Sequence, residues 1–246
     1  MSENKRFLVI TILLAIVSIS IFTIVLDFLR FLGHYDLYNL YPSYLLNRIN
    51  VILATALVWL SGKESLSQKD NRLMKCIFLI ICVGEYFFLI AKPSFAITAF
   101  LLCQCLLIIR HSNGLSAKLA KTAPRQKLVL TLLAFILASI ILTTVILLYP
   151  FDNHRSLSII AVTYWAILSM SLWIVLANSL MPLFPKINSR MIAIGMLCFY
   201  CCDILVGLDT ILDDGIMSLL ANSLIWVFYT PAITLLALSC YKYADK

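Results

Sequence analysis

The chain has 246 residues, 62% of them apolar and only 13% charged, against about 45–50% and about 25% in an ordinary soluble domain. A soluble globule cannot cover that much hydrocarbon with so little polar surface, and disorder, collagen and secreted disulfide scaffolds fall at the same step. The formal charge of +7, from 19 Lys and Arg against 12 Asp and Glu, invites a nucleic-acid reading, which the placement of those charges argues against.

Hydropathy resolves into eight apolar runs bounded by charge, Pro or Asn: Phe7 to Leu29, Tyr44 to Ser61, Leu73 to Ala91, Ser94 to Ile109, Leu128 to Tyr149, Leu157 to Ala177, Met191 to Leu208 and Leu219 to Tyr241. Each is close to the ~20 residues that cross a ~30 Å hydrocarbon core as helix. A membrane barrel would need alternating segments of ~10 residues, and Leu128 to Leu148 shows no alternation. The first run follows Lys5 and Arg6 as a signal peptide would. It is too long for one and has no small-x-small cleavage site, so it counts as a span.

Alternate sides of these spans differ sharply in basic residues. One side collects 15: Lys5, Arg6, Lys63, Lys69, Arg72, Lys75, Arg110, Lys118, Lys121, Arg125, Lys127, Lys186, Arg190, Lys242 and Lys246. The other holds only Arg30, Arg48, Lys92 and Arg155. The positive-inside rule then puts both termini in the cytoplasm, and the basic stretch Lys118 to Lys127 faces anionic lipid rather than nucleic acid. The expected fold is all-α: a polytopic membrane protein of eight transmembrane helices in one bundle, a single domain over 1–246. The loop His111 to Lys127 divides it four plus four, with a weak parallel duplication relating 7–109 to 128–241.

All eight cysteines, Cys76, Cys82, Cys103, Cys105, Cys198, Cys201, Cys202 and Cys240, fall inside or at the edge of predicted spans, where they read as small hydrophobes rather than as disulfides or metal ligands. His34, His111 and His154 fall in predicted loops, so no intramembrane histidine cluster is expected to hold zinc. No G-x-S-x-G elbow, glycine-rich phosphate loop or H-E-x-x-H occurs. No metal or cofactor is expected, and carboxylate chemistry is what remains.

Two acids lie deep within spans, Glu85 in the third and Asp203 in the seventh. A carboxylate near a helix centre costs ~2.5–3.5 kcal/mol on insertion scales, so its presence asks for a reason. Both stand 12 residues into their spans, roughly 18 Å along the helix axis. Acids at one level on different helices can meet in a bundle interior, and Gly84 would let a neighbouring backbone approach closely. Two carboxyls close together in low dielectric cannot both ionise easily, so one keeps its proton, which is the pairing an acid–base hydrolase needs. The alternative is that each acid hydrogen-bonds a neighbouring helix as glue.

Other polar groups fall near that level: Asn47, Arg48 and Asn50 in the second span, Tyr164 in the sixth, Asn222 and Trp226 in the eighth. Arg48 either neutralises a lipid phosphate or an acid of the pair, or snorkels to the interface. Gln104 reads as interhelical glue, and Asp209, Asp213 and Asp214 as a solvated loop. Asp27 reads as interfacial, and Tyr35, Tyr38, Tyr41 and Tyr44 as an aromatic girdle.

The stretch Arg190-Met-Ile-Ala-Ile-Gly-Met-Leu-Cys-Phe-Tyr-Cys-Cys-Asp203-Ile-Leu resembles the G-A-x-x-F-x-x-S-D-x-x-L segment of the YhhN family of lysoplasmalogenase-like membrane proteins. Val83-Gly84-Glu85-Tyr-Phe-Phe-Leu89 is similar to that family's G-D-x-x-L, Val162-Thr-Tyr164 through Met170 to its P-V-x-x-Y-x-x-x-x-x-M, and Tyr229 through Ser239 to its Y-Y-x-x-Q-x-L-I-x-x-S. The sequence departs from the pattern in four places. Glu85 stands for the family aspartate, Cys202 for the serine before the second aspartate and Gln104 where a histidine is common, and the glutamine of the last helix is lost.

The resemblance implies hydrolysis of the vinyl-ether bond of lysoplasmalogens, giving a fatty aldehyde and a glycerophospho-ethanolamine or -choline. One acid to protonate the alkene carbon and one carboxylate to activate water are enough for it. By analogy with inverting glycosidases the two carboxyls are expected within roughly 10 Å with room for water. Glu85 and Asp203 are the expected catalytic pair, with Arg48, Asn50, Tyr164 and Tyr229 toward the substrate. The expected partners are a lysophospholipid substrate and membrane lipids, and the membrane a bacterial inner membrane or an endoplasmic reticulum. A proton- or cation-coupled transporter and a non-catalytic lipid-binding protein are the alternatives.

Overall fold

A computed structural model describes residues 3–33, 40–148, 155–181, 183–211 and 216–243. Among them the chain is all-α, in nine helices: α1 (Glu3–Phe31), α2 (Ser43–Ser61), α3 (Gln68–Leu89), α4 (Pro93–His111), α5 (Leu115–Ala120), α6 (Pro124–Leu148), α7 (Arg155–Leu180), α8 (Lys186–Ile211) and α9 (Ile216–Leu238), with a 3-10 turn at Gly62–Glu64 after α2. Each apolar run lies within one of the eight long helices apart from a few residues at its ends. The short α5 stands in the cytoplasmic loop where no element was expected. Tyr35, Tyr38, His34, His154, Asp213 and Asp214 lie outside the described residues.

Six of the described helices are long and apolar enough to cross a membrane, and the chain is a multi-pass membrane protein. The surface of α1 fits that environment: Phe7, Leu14, Ile21 and Phe28, seven residues apart along one face, are 58–73% exposed. In water such a stripe is an aggregation hazard; in lipid it costs nothing.

The described chain forms two compact units, Met1–Asn71 with Ile194–Lys242, and Arg72–Ala193 with Tyr243–Lys246. The divisions fall at Asn71 and at Ala193, inside α3 and α8, rather than in the loop His111 to Lys127.

In the first unit α1 and α2 pack against each other and α9 packs on both. The α1/α2 seam is polar and in register. Asn50 Nδ2 donates to Ser20 Oγ at 3.2 Å, Thr23 Oγ1 to Asn47 Oδ1 at 2.9 Å, and Ser43 Oγ to Asp27 Oδ1 at 2.6 Å. One number falls as the other rises, as antiparallel helices require. The register continues to the helix ends, where Lys5 Nζ donates to the Ser61 carbonyl at 3.1 Å and pairs with Glu64 at 3.7 Å. The last residues close the same end of the unit. The Lys242 amide donates to the Glu64 carbonyl at 2.7 Å and the Tyr241 hydroxyl to the Leu57 carbonyl at 2.7 Å. Where α8 meets α9, a Cβ on Gly195 would stand 3.2 Å from the Ala232 carbonyl oxygen, so glycine sets that approach.

Thr23→Val keeps the shape of this seam and removes one donor, leaving the Asn47 carbonyl oxygen buried without it. The expected cost is about 1 kcal/mol, read as a lowered midpoint in a denaturation titration of the detergent-solubilised protein. Ser20→Ala removes an acceptor from the neighbouring pair and should behave alike.

In the second unit α7 packs on α4 and on α6. Trp173 Nε1 donates to the Leu130 carbonyl at 2.9 Å, and Leu115, Leu130, Ile174, Ala177 and Met181 form a buried cluster beside it. His111, expected in a loop, is instead the last residue of α4 and is fully buried. Its carbonyl is one of the orphan acceptors of a helix C-terminus, and Asn178 Nδ2 on α7 satisfies it at 2.6 Å. Its ring stands edge-on to Phe184, 6.1 Å between centroids. The helix runs on past Ile109 because α7 supplies a partner there.

Candidate functional site

Glu85 sits on α3 in the second unit, 9% exposed. The residue before it, Gly84, makes close packing available, but to a ring rather than a backbone: a Cβ there would stand 2.8 Å from Phe100 Cε2 on α4. The Phe100 ring fills that space and is itself held 5.9 Å from the ring of Phe88. Glu85 is therefore placed by aromatic packing one residue away. Tyr164, 7% exposed on α7, belongs to the same unit.

Asp203 sits on α8 in the first unit, half-buried and next to the buried Cys202. Phe199, one turn earlier on the same face, is fully buried and meets the Tyr229 ring edge-on at 5.7 Å and 84°. The Tyr229 ring also stands 5.6 Å from Trp226. Two segments that the sequence comparison singled out separately, one on α8 and one on α9, are thus in contact. The shared depth of the acids holds on the observed helices as well: Glu85 stands 17 residues after Gln68, and Asp203 17 residues after Lys186.

Arg48 and Asn50 belong to the first unit with Asp203. Arg48 Nη1 turns back along α2 to donate to the Tyr44 carbonyl at 2.6 Å, and its guanidinium lies 5.8 Å from the centre of the Tyr44 ring. Asn50 is fully buried, held by its amide to Ser20. It is a seam residue of α1 and α2, with an Oδ1 that accepts no hydrogen bond among the described residues.

Two sequence expectations change. Asp27 is not a solvated interfacial acid: it is 8% exposed and accepts hydrogen bonds from the Ser43 and Ser223 hydroxyls. Gln104 is fully buried, but neither its Oε1 nor its Nε2 has a partner among the described residues, so it makes no interhelical bond there. The cysteines are free thiols, Cys103, Cys202 and Cys240 buried and Cys76 exposed.

The model of the YhhN family matches residues 43–240. The chain belongs to the YhhN family. No curated protein and no solved structure matches it. Every residue expected at the site, Arg48, Asn50, Glu85, Tyr164, Asp203 and Tyr229, lies within the YhhN match, whereas α1 and its Asp27 lie before it.

Proposed function

We propose that this YhhN-family protein is a lysoplasmalogenase-like hydrolase that cleaves the vinyl-ether bond of a lysoplasmalogen. The reading is carried by the family match over 43–240, which includes two apolar helices each bearing an acid at the same distance from its start. Ionisable groups in such positions are costly and functional by default. The chain crosses the membrane eight times with both termini in the cytoplasm. The tying of Lys5, Glu64 and Lys242 at one end of the first unit supports termini on a common side.

Glu85 and Asp203 serve as the acid–base pair. One, as the carboxylic acid, protonates the alkene carbon remote from oxygen, and the ether oxygen shares the resulting positive charge as an oxocarbenium ion. The other, as carboxylate, takes a proton from the water that captures the cation. The hemiacetal so formed collapses to the fatty aldehyde and the free glycerol hydroxyl. One water is consumed, and the two carboxyls exchange a proton to return to their starting states. Tyr164, Tyr229, Asn50 and Arg48 position the substrate, Arg48 toward its phosphate.

The mechanism depends on a carbon that can be protonated, which sets the test. Purified protein is incubated with lysolipids of one headgroup carrying vinyl-ether, alkyl-ether or ester links. Aldehyde is expected from the vinyl ether, with no cleavage of the alkyl ether. Ester hydrolysis as the dominant activity, or no aldehyde at all, removes this function.

A further inference from the structure

Between α1 and α9 the first unit holds a groove of about 380 Å³, a volume within the range of ligand pockets. Its rim is hydrocarbon, Val17 and Ile21 on α1 and Val227 on α9, all exposed. Whatever enters it comes from the lipid phase. Its floor is polar: Thr23, Asp27, Asn47 and Thr230 line it and are all less than one-tenth exposed.

The hydrogen bonding of that floor is incomplete in a specific way. Thr23 donates to Asn47 Oδ1, and Asn47 Nδ2 has no acceptor among the described residues; neither has Thr230 Oγ1. Pro231, inside α9, has no N–H to offer the Val227 carbonyl one turn back. Asp27, toward the other end of the floor, accepts from two hydroxyls and has further lone pairs. Buried donors without an acceptor are costly, and these ask for a ligand oxygen. The carboxylate asks for a donor. Arg30 already supplies the positive charge beside Asp27, so the donor need not be a cation, and a phosphate placed there would meet the carboxylate.

We propose that this groove binds an uncharged single-chain glycerolipid. A free glycerol hydroxyl donates to Asp27, the oxygen joining glycerol to the chain accepts from Asn47 Nδ2 and the Thr230 hydroxyl, and the chain lies along the apolar walls toward Leu235. Asp27 and Thr23 are one turn apart, about 6 Å, a step that a three-carbon backbone covers. The site uses α1, which the family match does not reach, and does not rest on the catalytic reading of Glu85 and Asp203.

The test uses the full chain in phosphatidylcholine nanodiscs with a monoacylglycerol carrying a diazirine in its chain. Photolysis should label peptides of α1 and α9. Unlabelled monoacylglycerol should compete, and its analogue with both hydroxyls methylated should compete about tenfold less well. Thr230→Val, a change of one polar atom, should weaken labelling by a similar factor, and Val17→Phe, which fills the rim, should suppress it. A Glu85→Gln, Asp203→Asn protein should label as the parent does, which separates this site from the hydrolase reading. Equal competition by the capped analogue, stronger competition by a lysophosphatidylcholine, or labelling spread over the other helices overturns the proposal.

Discussion

Asp203→Asn and Glu85→Gln should each lower aldehyde release from a lysoplasmalogen by about 10²–10⁴-fold, the usual contribution of a general acid or base. Both changes keep shape and hydrogen-bonding capacity and remove only the ability to gain or lose a proton. That is what separates catalysis from interhelical glue: an amide can bond a neighbouring helix as well as a carboxyl can, so a glue residue tolerates the change. Circular dichroism and the thermal midpoint in detergent should therefore move little while turnover falls. Glu85→Asp restores the acid that the family carries, with an arm shorter by one methylene, and should retain more activity than Glu85→Gln. Parent-like turnover by Asp203→Asn would remove that residue from the mechanism whatever the fold.

The helices were legible because lipid imposes a length on them: each of the eight apolar runs had to be near 20 residues, and each falls in one long helix. What local composition could not show was which polar groups find partners. His111 looked like a loop residue because charge and Ser-Asn-Gly surround it, but Asn178, 67 residues away, caps its helix. Asp27 looked interfacial because it stands near the end of a span. A signal for its burial was present in the spacing. Ser20, Thr23 and Asp27 are separated by three and four residues, and Ser43, Asn47 and Asn50 by four and three. Two polar stripes with mirrored spacing on consecutive spans are what an antiparallel hydrogen-bonded seam requires. The identity of the acids followed from their cost in hydrocarbon, whereas the ring packing that holds Glu85 depended on Phe100, a residue indistinguishable in sequence from any lipid-facing phenylalanine.

That packing leads to the second large effect. Gly84→Ala would put a methyl group 2.8, 3.1 and 3.3 Å from three atoms of the Phe100 ring, closer than carbon atoms pack. The ring cannot simply swing away, because it is 7% exposed and is backed by Phe88. Either the ring or α3 itself must shift, at a cost of about 1–3 kcal/mol, seen as a lowered thermal midpoint in detergent. A shift of α3 also carries Glu85 with it, and displacement of a reacting group by as little as 1 Å costs catalysis heavily, so activity should fall further than stability alone explains. Phe100→Leu removes the ring edge and on its own leaves a partly filled space, a loss of the large-to-small kind. Combined with Gly84→Ala it makes room for the new methyl. The double variant should then be more stable than the two single losses added together, a coupling that only residues in direct contact show. Additive losses would mean that Phe100 does not press on Gly84, and the positioning of Glu85 by that ring would have to be abandoned.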